Sequence, residues 1–314
     1  MALDLLFPDA AMDYQTTIRR SVSIEGLGLH SGEMVRLSVA PAGSDTGIIF
    51  RAPDGTLIPA NADHVVDGHF ATTVGAFGVR VRTIEHLMAA AAGLGLDNLI
   101  VDVSGGELPG LDGSAKEFME FLDSAGQITL PARQHPIRIE SPIRVDDGTR
   151  WLQVVPCDTF RVSYTLDHEH PAIGLQAVTV EINPKTFAED VAPARTYGFL
   201  KDVGAMRQRG LARGGSLDNT IVVGKRTVLN ESLRYPDEFV RHKILDLVGD
   251  LFLLGRPILG HVVARNGGHA LNHQLVAAIR KAASPERRRI RSAAPVELMP
   301  VEAAYPSLPG VAAL

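Results

Sequence analysis

The chain has 314 residues, 45% of them hydrophobic and 21% charged. That length predicts about two domains with a sizeable core and excludes a wholly disordered chain. Lysine and arginine number 31 against 36 acidic residues, and the resulting net charge of −5 disfavours a dedicated nucleic-acid binder. The single cysteine, Cys157, cannot form an internal disulfide or a cysteine-based zinc site, whereas eleven histidines can build a histidine–carboxylate metal site. Leu5-Leu-Phe7 has no basic residues ahead of it and is followed by Pro8, and Leu87 to Leu96 is too short to span a bilayer. The cytoplasm is the expected compartment, with no stable membrane insertion.

Residues 1–16 read as a loose arm, with structure beginning at about Thr17. Ile18, Val22 and Ile24 have strand spacing, and Val35, Leu37 and Val39 alternate with Arg36 and Ser38 in a half-buried strand ended by Pro41. Ile48 to Arg51, Thr72 to Val74, Val79 to Arg82 and Leu99 to Val103 are further strands. Thr83 is placed to cap a helix to about Leu94, and Ser114-Ala-Lys-Glu117 reads as a capping box opening a helix to Ala125. The order then repeats, with strands at Ile137, Trp151 to Val155, Arg161 to Leu166 and Val178 to Ile182. A long helix capped by Asp237 runs to about Leu254, followed by a strand from Ile258 to Ala264 and a helix from His269 to about Ala283. The sequence therefore predicts an internal duplication: a first α+β domain at 17–130, and a second at 131–283 with an insert at about 183–230. Residues 284–314 read as a tail.

The helix from Asp237 carries His242, Asp246 and Asp250 on one stripe, each four residues from the last, with apolar residues covering the other side. A histidine and an aspartate at this spacing can both reach one divalent metal, and their donor atoms suit zinc. A solvated polar face is the alternative. The first-half helix offers Glu85-His86, and adjacent helical residues diverge enough for one to reach a metal and the other its water. Here the alternative is an exposed glutamate and a core histidine. If the two helices are equivalent and pack together, His86, His242 and Asp246 supply three ligands and leave a fourth position open, the pattern of a catalytic zinc.

His269 follows Gly267-Gly268 at a helix start, where it can donate a proton with Asp250 holding its tautomer. It can also be a helix residue without a role, or half of a rival metal pair with His273. Thr196 offers a hydroxyl to a developing oxyanion. Tyr197, Phe199, Leu200, Val203 and Met206 can line a groove for an apolar ligand or belong to an ordinary core.

These stretches resemble the UDP-3-O-acyl-N-acetylglucosamine deacetylase family. The matching motifs in the first half are Gly26-Leu-Gly-Leu-His-Ser-Gly32, Val81-Arg-Thr-Ile-Glu-His-Leu87 and Leu111-Asp-Gly-Ser-Ala115. In the second half they are Ala194-Arg-Thr-Tyr-Gly-Phe199, Gly215-Ser-Leu-Asp218, Glu238-Phe-Val-Arg-His-Lys243 with Asp246 and Asp250, and Gly268-His-Ala-Leu-Asn272. The resemblance implies two similar α+β domains with helices sandwiched between two sheets. It implies hydrolysis of the N-acetyl group of a UDP-linked, 3-O-acylated amino sugar, releasing acetate in the committed step of lipid A biosynthesis.

By motif position, His86, His242 and Asp246 would hold one zinc per chain, with iron(II) the alternative ion. Glu85 would be the base, His269 the acid supported by Asp250, and Thr196 the oxyanion donor. Lys243 would lie near the diphosphate, and Thr196 to Leu211 would form the acyl-chain passage with Tyr197, Phe199 and Leu200. His69 and Phe70 would belong to a variable substrate loop. Tyr197 stands where phenylalanine is usual, Asn266 where lysine is frequent, and Asp167-His-Glu-His170 where an aromatic residue can stack on the uracil. The chain is expected to be a monomer. The competing functions are another metal-dependent hydrolase or a dehydratase acting on a nucleotide sugar, and a structural zinc protein, which would want four ligands and no base.

Overall fold

The computed structural model describes residues 14–283; the expected features at residues 1–13 and 284–314 lie outside the described residues. The first half runs β1 (Tyr14–Ile18), β2 (Val22–Leu27), β3 (Met34–Pro41), β4 (Ile48–Arg51), β5 (Leu57–Pro59), β6 (Val65–Asp67), β7 (Thr73–Ala76), β8 (Val79–Arg82), α1 (Glu85–Leu94), β9 (Leu99–Val103), α2 (Lys116–Asp123) and β10 (Gln127–Arg133). The second half runs β11 (Ile137–Arg138), β12 (Ile143–Asp146), β13 (Trp151–Val155), β14 (Phe160–His168), β15 (Gly174–Glu181), the one-turn α3 (Pro184–Thr186), β16 (Tyr197–Phe199), α4 (Leu200–Gln208), β17 (Ile221–Val223), α5 (Glu238–Leu251), β18 (Ile258–Arg265) and α6 (His269–Ala283).

The main sheet of the first half has the order β2-β3-β9-β4-β5, and that of the second half the order β12-β13-β18-β14-β15. Position by position the senses agree. Along these orders β9 and β18 are each antiparallel to one neighbour and parallel to the other and the remaining pairs are antiparallel, while the short β11 pairs parallel with β18 off the main order. The fold is α+β. Alternation in the strands faces each sheet inward: Val35, Leu37 and Val39 are buried while Arg36 is exposed. Helices α1 and α5 are buried over almost their whole circumference, which requires protein on every side and puts them in an inner layer. There α1 packs on α5 and α2, and α5 on β14 and β15, within one continuous apolar core.

Several expected boundaries move. The arm ends earlier than residue 16, because β1 starts at Tyr14 and pairs antiparallel with β10. Polar Thr16 and Thr17 are buried there: the Thr16 N–H donates to Asp97 (2.7 Å) and the Thr17 hydroxyl to the Asn98 carbonyl (2.6 Å). β10 itself occupies 127–133, so the connection between the halves begins only after Arg133. Of the expected helix caps only Asp237 keeps its position, and its side chain makes no cap hydrogen bond. Thr83 has φ 58° and donates its hydroxyl to Glu107 (3.0 Å), leaving Ile84 at the N-cap of α1. Ala115 takes the N-cap of α2, with the Ser114 hydroxyl donating to Asp112 (2.8 Å) and its oxygen accepting the Lys116 N–H (3.1 Å), while the Asp237 carboxylate at the N-cap of α5 accepts from Arg241 (2.6 Å). Glu107 instead organises the Gly26–Gly32 motif by accepting the N–H groups of His30 (2.8 Å) and Ser31 (2.7 Å).

The crossing of α1 and α5 is set by Gly249. A Cβ at this position would lie 2.1 Å from the carbonyl oxygen of Glu85, a backbone atom that cannot swing aside. Helix propensity alone would make Gly249→Ala stabilising by about 1 kcal/mol. The contact predicts the opposite sign, a net loss on the order of 1–3 kcal/mol as the helices are forced apart. Chemical denaturation checks this, and an alanine variant as stable as the parent would contradict it.

Candidate active site

The crossing brings His86 of α1 against His242 and Asp246 of α5. One ligand atom from each lies within 4.8 Å of the others, and all three residues are buried. Asp246 Oδ1 is 3.2 Å from His242 Nε2 and 3.7 Å from His86 Nε2. A carbonyl oxygen can only accept, so His242 Nδ1, 3.0 Å from the Ala194 carbonyl, carries the proton and leaves the Nε2 lone pair facing the cluster. Lys243 Nζ donates to Asp246 Oδ2 (2.6 Å), leaving Oδ1 on the histidine side. Burial lowers the His242 pKa to about 4, which keeps the ring neutral. Burial works against the Asp246 carboxylate, but His242, Lys243 and His86 outweigh it and hold its pKa well below the usual range. Two imidazoles and an ionised carboxylate, oriented through their outer atoms, fit a divalent metal, and the burial rules out a solvated face.

Glu85 is buried too. Its Oε2 accepts the Thr72 N–H (2.9 Å), and burial raises its pKa, the condition of a carboxylate suited to accept a proton. Asp250 is fully buried. It accepts from His269 Nδ1 (2.7 Å), from Asn272 Nδ2 (2.8 Å) and from the Thr72 hydroxyl. Burial opposes its charge, yet His269 and His273 pull its pKa far below the usual value. Burial also opposes charging of His269, but the charge and hydrogen bond of Asp250, helped by Asp246 and Glu85, raise that pKa to about 9. His273 Nε2 lies 3.5 Å from Asp250 Oδ1, so both histidines face one carboxylate and do not form a rival metal pair. Among the described residues, the cluster of His86, His242 and Asp246 is the only group of three with metal-ligand geometry.

The Ala194–Phe199 run is fastened to α5 by a buried ion pair. Arg195 donates from its backbone N (3.0 Å) and Nε (2.9 Å) to Glu238 Oε1, and from Nη2 (3.2 Å) to Oε2. This clamp sets the Ala194 carbonyl over His242. The Thr196 N–H donates to the Gly113 carbonyl (2.8 Å), and its hydroxyl has no protein partner among the described residues. The Tyr197 ring stands edge-on to Phe239, its centroid 6.4 Å from that of His242. Phe199 stacks on His168 at 5.2 Å, with Lys201 Nζ 5.4 Å from its ring centroid. No residue of α4 is buried and Leu200 is half exposed, so Leu200, Val203 and Met206 are not core. His69 and Phe70 belong to the loop before β7; the neighbouring Gly68 approaches His273 so closely that a Cβ would sit 2.9 Å from its ring. Asn266 is tied to the Asp167 backbone by bonds of 2.7 and 3.0 Å.

Sequence reasoning missed Thr72, which touches Glu85, Asp250 and His273 at once. A threonine at the start of a short strand carries no signal for this. The Ala194 carbonyl and the Arg195–Glu238 clamp were equally hidden.

An α+β fold whose buried helix crossing holds two histidines and a carboxylate, beside a second carboxylate and an Asp–His pair, defines the class of metal-dependent hydrolases. The family model described as UDP-3-O-acyl N-acetylglycosamine deacetylase matches residues 15–281. Proteins named UDP-3-O-acyl-N-acetylglucosamine deacetylase are similar along most of their length. The one from Myxococcus xanthus is 47% identical over 88% of this chain and 90% of its own. The Syntrophotalea carbinolica protein is 45% identical over 84% and 87%, and that of Leptospira biflexa 46% over 85% and 89%. The chain belongs to the UDP-3-O-acyl N-acetylglycosamine deacetylase family and is an enzyme.

The Asp250–His269 pair also predicts how stability varies with pH. His269 has a folded pKa of about 9, raised from 6.5, so its contribution is fully present below about pH 6.5 and is lost as pH rises through 9. Asp250 is shifted down, so its contribution is present above its ordinary pKa of 3.8 and is lost in stronger acid. Denaturation midpoints measured against pH should fall between pH 6.5 and 9, and His269→Gln should flatten that fall. An identical alkaline decline in the variant would contradict the pairing.

Proposed function

We propose that the chain removes the acetyl group from a UDP-linked, 3-O-acylated N-acetylglucosamine in lipid A biosynthesis, with zinc as its ion and iron(II) as the alternative. The observation carrying this is the convergence of His86, His242 and Asp246 at one helix crossing, with Glu85 adjacent in sequence and the Asp250–His269 pair tied to it through Thr72. His86 Nε2, His242 Nε2 and Asp246 Oδ1 would hold the metal. When bound, it supplies Lewis acidity for the acetamide carbonyl and lowers the pKa of a water.

Glu85 accepts a proton from the attacking water as the bond to the acetyl carbon forms. The Thr196 hydroxyl donates to the oxygen on which negative charge develops. His269 has its Nδ1–H committed to Asp250, so Nε2–H is the proton delivered to the sugar nitrogen as the C–N bond breaks. The products are acetate and the free amine. Lys243 steadies Asp246 and brings positive charge close to Tyr197, its Nζ 5.8 Å from that ring's centroid.

The repeated strand order supports reading the chain as a duplication, with the boundary just after Arg133. The free Cys157 fits a reducing cytoplasm. We keep the expectation of a monomer.

Acetate release from the acylated UDP-sugar by the purified protein tests the reading. Glu85→Ala should keep the metal and lose about 10²–10⁴-fold in turnover. The alkaline limb of kcat/KM should lie near the His269 pKa of about 9 and disappear in His269→Ala. An active Glu85→Ala enzyme, or an alkaline limb that survives the loss of His269, would refute the assigned roles.

We also propose that the stretch from Thr196 to Leu211, which includes α4, receives the acyl chain, each buried methylene contributing about 0.8 kcal/mol. The exposure of Leu200 supports a ligand-facing position. Leu200→Trp should lower kcat/KM for long-chain substrates more than for short ones while leaving the melting temperature unchanged. An equal loss for all chain lengths would contradict the passage.

A further inference from the structure

One fully buried residue outside the motifs connects the two proton-transfer groups. Thr72 lies in the loop before β7, and its backbone N–H donates to Glu85 Oε2 at 2.9 Å. Its hydroxyl donates to Asp250 Oδ1, the oxygen that His269 does not use. The same hydroxyl oxygen is 3.0 Å from His273 Nε2 and 3.3 Å from His269 Nδ1. A hydroxyl has one proton and two lone pairs. Its proton goes to Asp250 and the His269 Nδ1–H goes to Asp250 Oδ2, so its nearest remaining partner is the Nε2–H of His273. His273 therefore reaches the carboxylate through Thr72, its own distance to Asp250 Oδ1 being 3.5 Å. The two histidines, one turn apart on α6, are made unequal by this one hydroxyl.

We propose that Thr72 is a positioning residue that ties Glu85 to the Asp250–His269 pair and keeps His273 from bonding directly to Asp250. The proposal rests on the roles of Glu85 and His269 given above. Without the hydroxyl, Asp250 Oδ1 loses its donor inside a buried pocket, and His273 Nε2–H is the nearest group able to replace it. Two imidazoles then bond one carboxylate, and the second competes with His269 for the charge that keeps it protonated. The groups facing His269 are Asp250 and Asp246 from α5, Glu85 from α1 and His273 from its own helix. Of these, Asp250 loses the Thr72 donor when the hydroxyl is removed, and His273 is the group placed to take its place. The Thr72 N–H remains in every variant, but the loop that aims it at Glu85 loses its side-chain anchor.

Three full-length variants test this: Thr72→Val, of nearly the same shape; Thr72→Ser, which keeps the hydroxyl; and Thr72→Val combined with His273→Gln. Steady-state deacetylation is measured against pH, and the His269 titration is followed by NMR in the same proteins as isolated. Thr72→Val should keep the metal content and KM of the parent while kcat falls about 10- to 100-fold, the scale for outer-shell partners of a reacting centre. The His269 titration should move down from about 9, and the alkaline limb should move with it. Thr72→Ser should recover both, and His273→Gln in the valine background should restore the titration. A Thr72→Val protein with parental kcat, or with an unmoved His269 titration, overturns the proposal, as does a serine variant no better than the valine one. The NMR titration needs no turnover, so it decides the bonding of His273 even if the parent protein does not deacetylate the sugar. Failure of the substrate reading therefore shows separately, as an inactive parent.

Discussion

Two helix backbones touch where Gly249 meets the carbonyl of Glu85, and the rest of the site depends on that contact. The glycine sits between Asp246 and Asp250, and the carbonyl belongs to the residue before His86. A crossing this close places His86 against His242 and Asp246, and Glu85 beside them. With a side chain at 249 the helices would stand farther apart, and the His86–His242–Asp246 cluster that spans both would be pulled apart without a change in any of its residues. The two sheets supply the frame. Both helices are inner-layer elements, covered on all sides, so their crossing is held by the whole core.

Burial of so many charges carries a desolvation cost that must be offset pair by pair. Asp246 has Lys243 and the two histidines, Asp250 has His269, Asn272 and Thr72, and Glu238 has Arg195. Glu85 is different. It receives a single N–H from Thr72, and burial pushes its pKa up. The site thus holds one carboxylate ready to gain a proton and one imidazole, His269, held protonated up to about pH 9. Opposite shifts on neighbouring groups are what a reaction needs when it takes a proton from water and gives one to an amine.

Where local pattern decides structure, the sequence was legible. The alternation at Val35, Leu37 and Val39, the strand Leu99–Val103 and the helix His269–Ala283 all appear as expected. Spacing of four residues put His242, Asp246 and Asp250 on one stripe, and the family resemblance supplied the rest of the candidate set. What could not be read depends on partners distant in the chain. β1 contains buried threonines bonded to Asp97 and Asn98, so it lacks an apolar signature. β10 runs through Pro131, where the sequence placed the start of the second domain, because its partner lies more than a hundred residues earlier. Thr83 looks like a helix cap in isolation, but its hydroxyl is claimed by Glu107 from beyond the next strand. Thr72 is the same lesson at the site itself.

The site as a whole requires that one divalent metal be held jointly by α1 and α5. Anomalous scattering at the metal edge from crystals of the holoenzyme decides this. One strong peak per chain is expected, bonded by His86 Nε2, His242 Nε2 and Asp246 Oδ1 and close to Glu85. A peak on His269 and His273, or a metal held by four protein ligands with no open position, would contradict it.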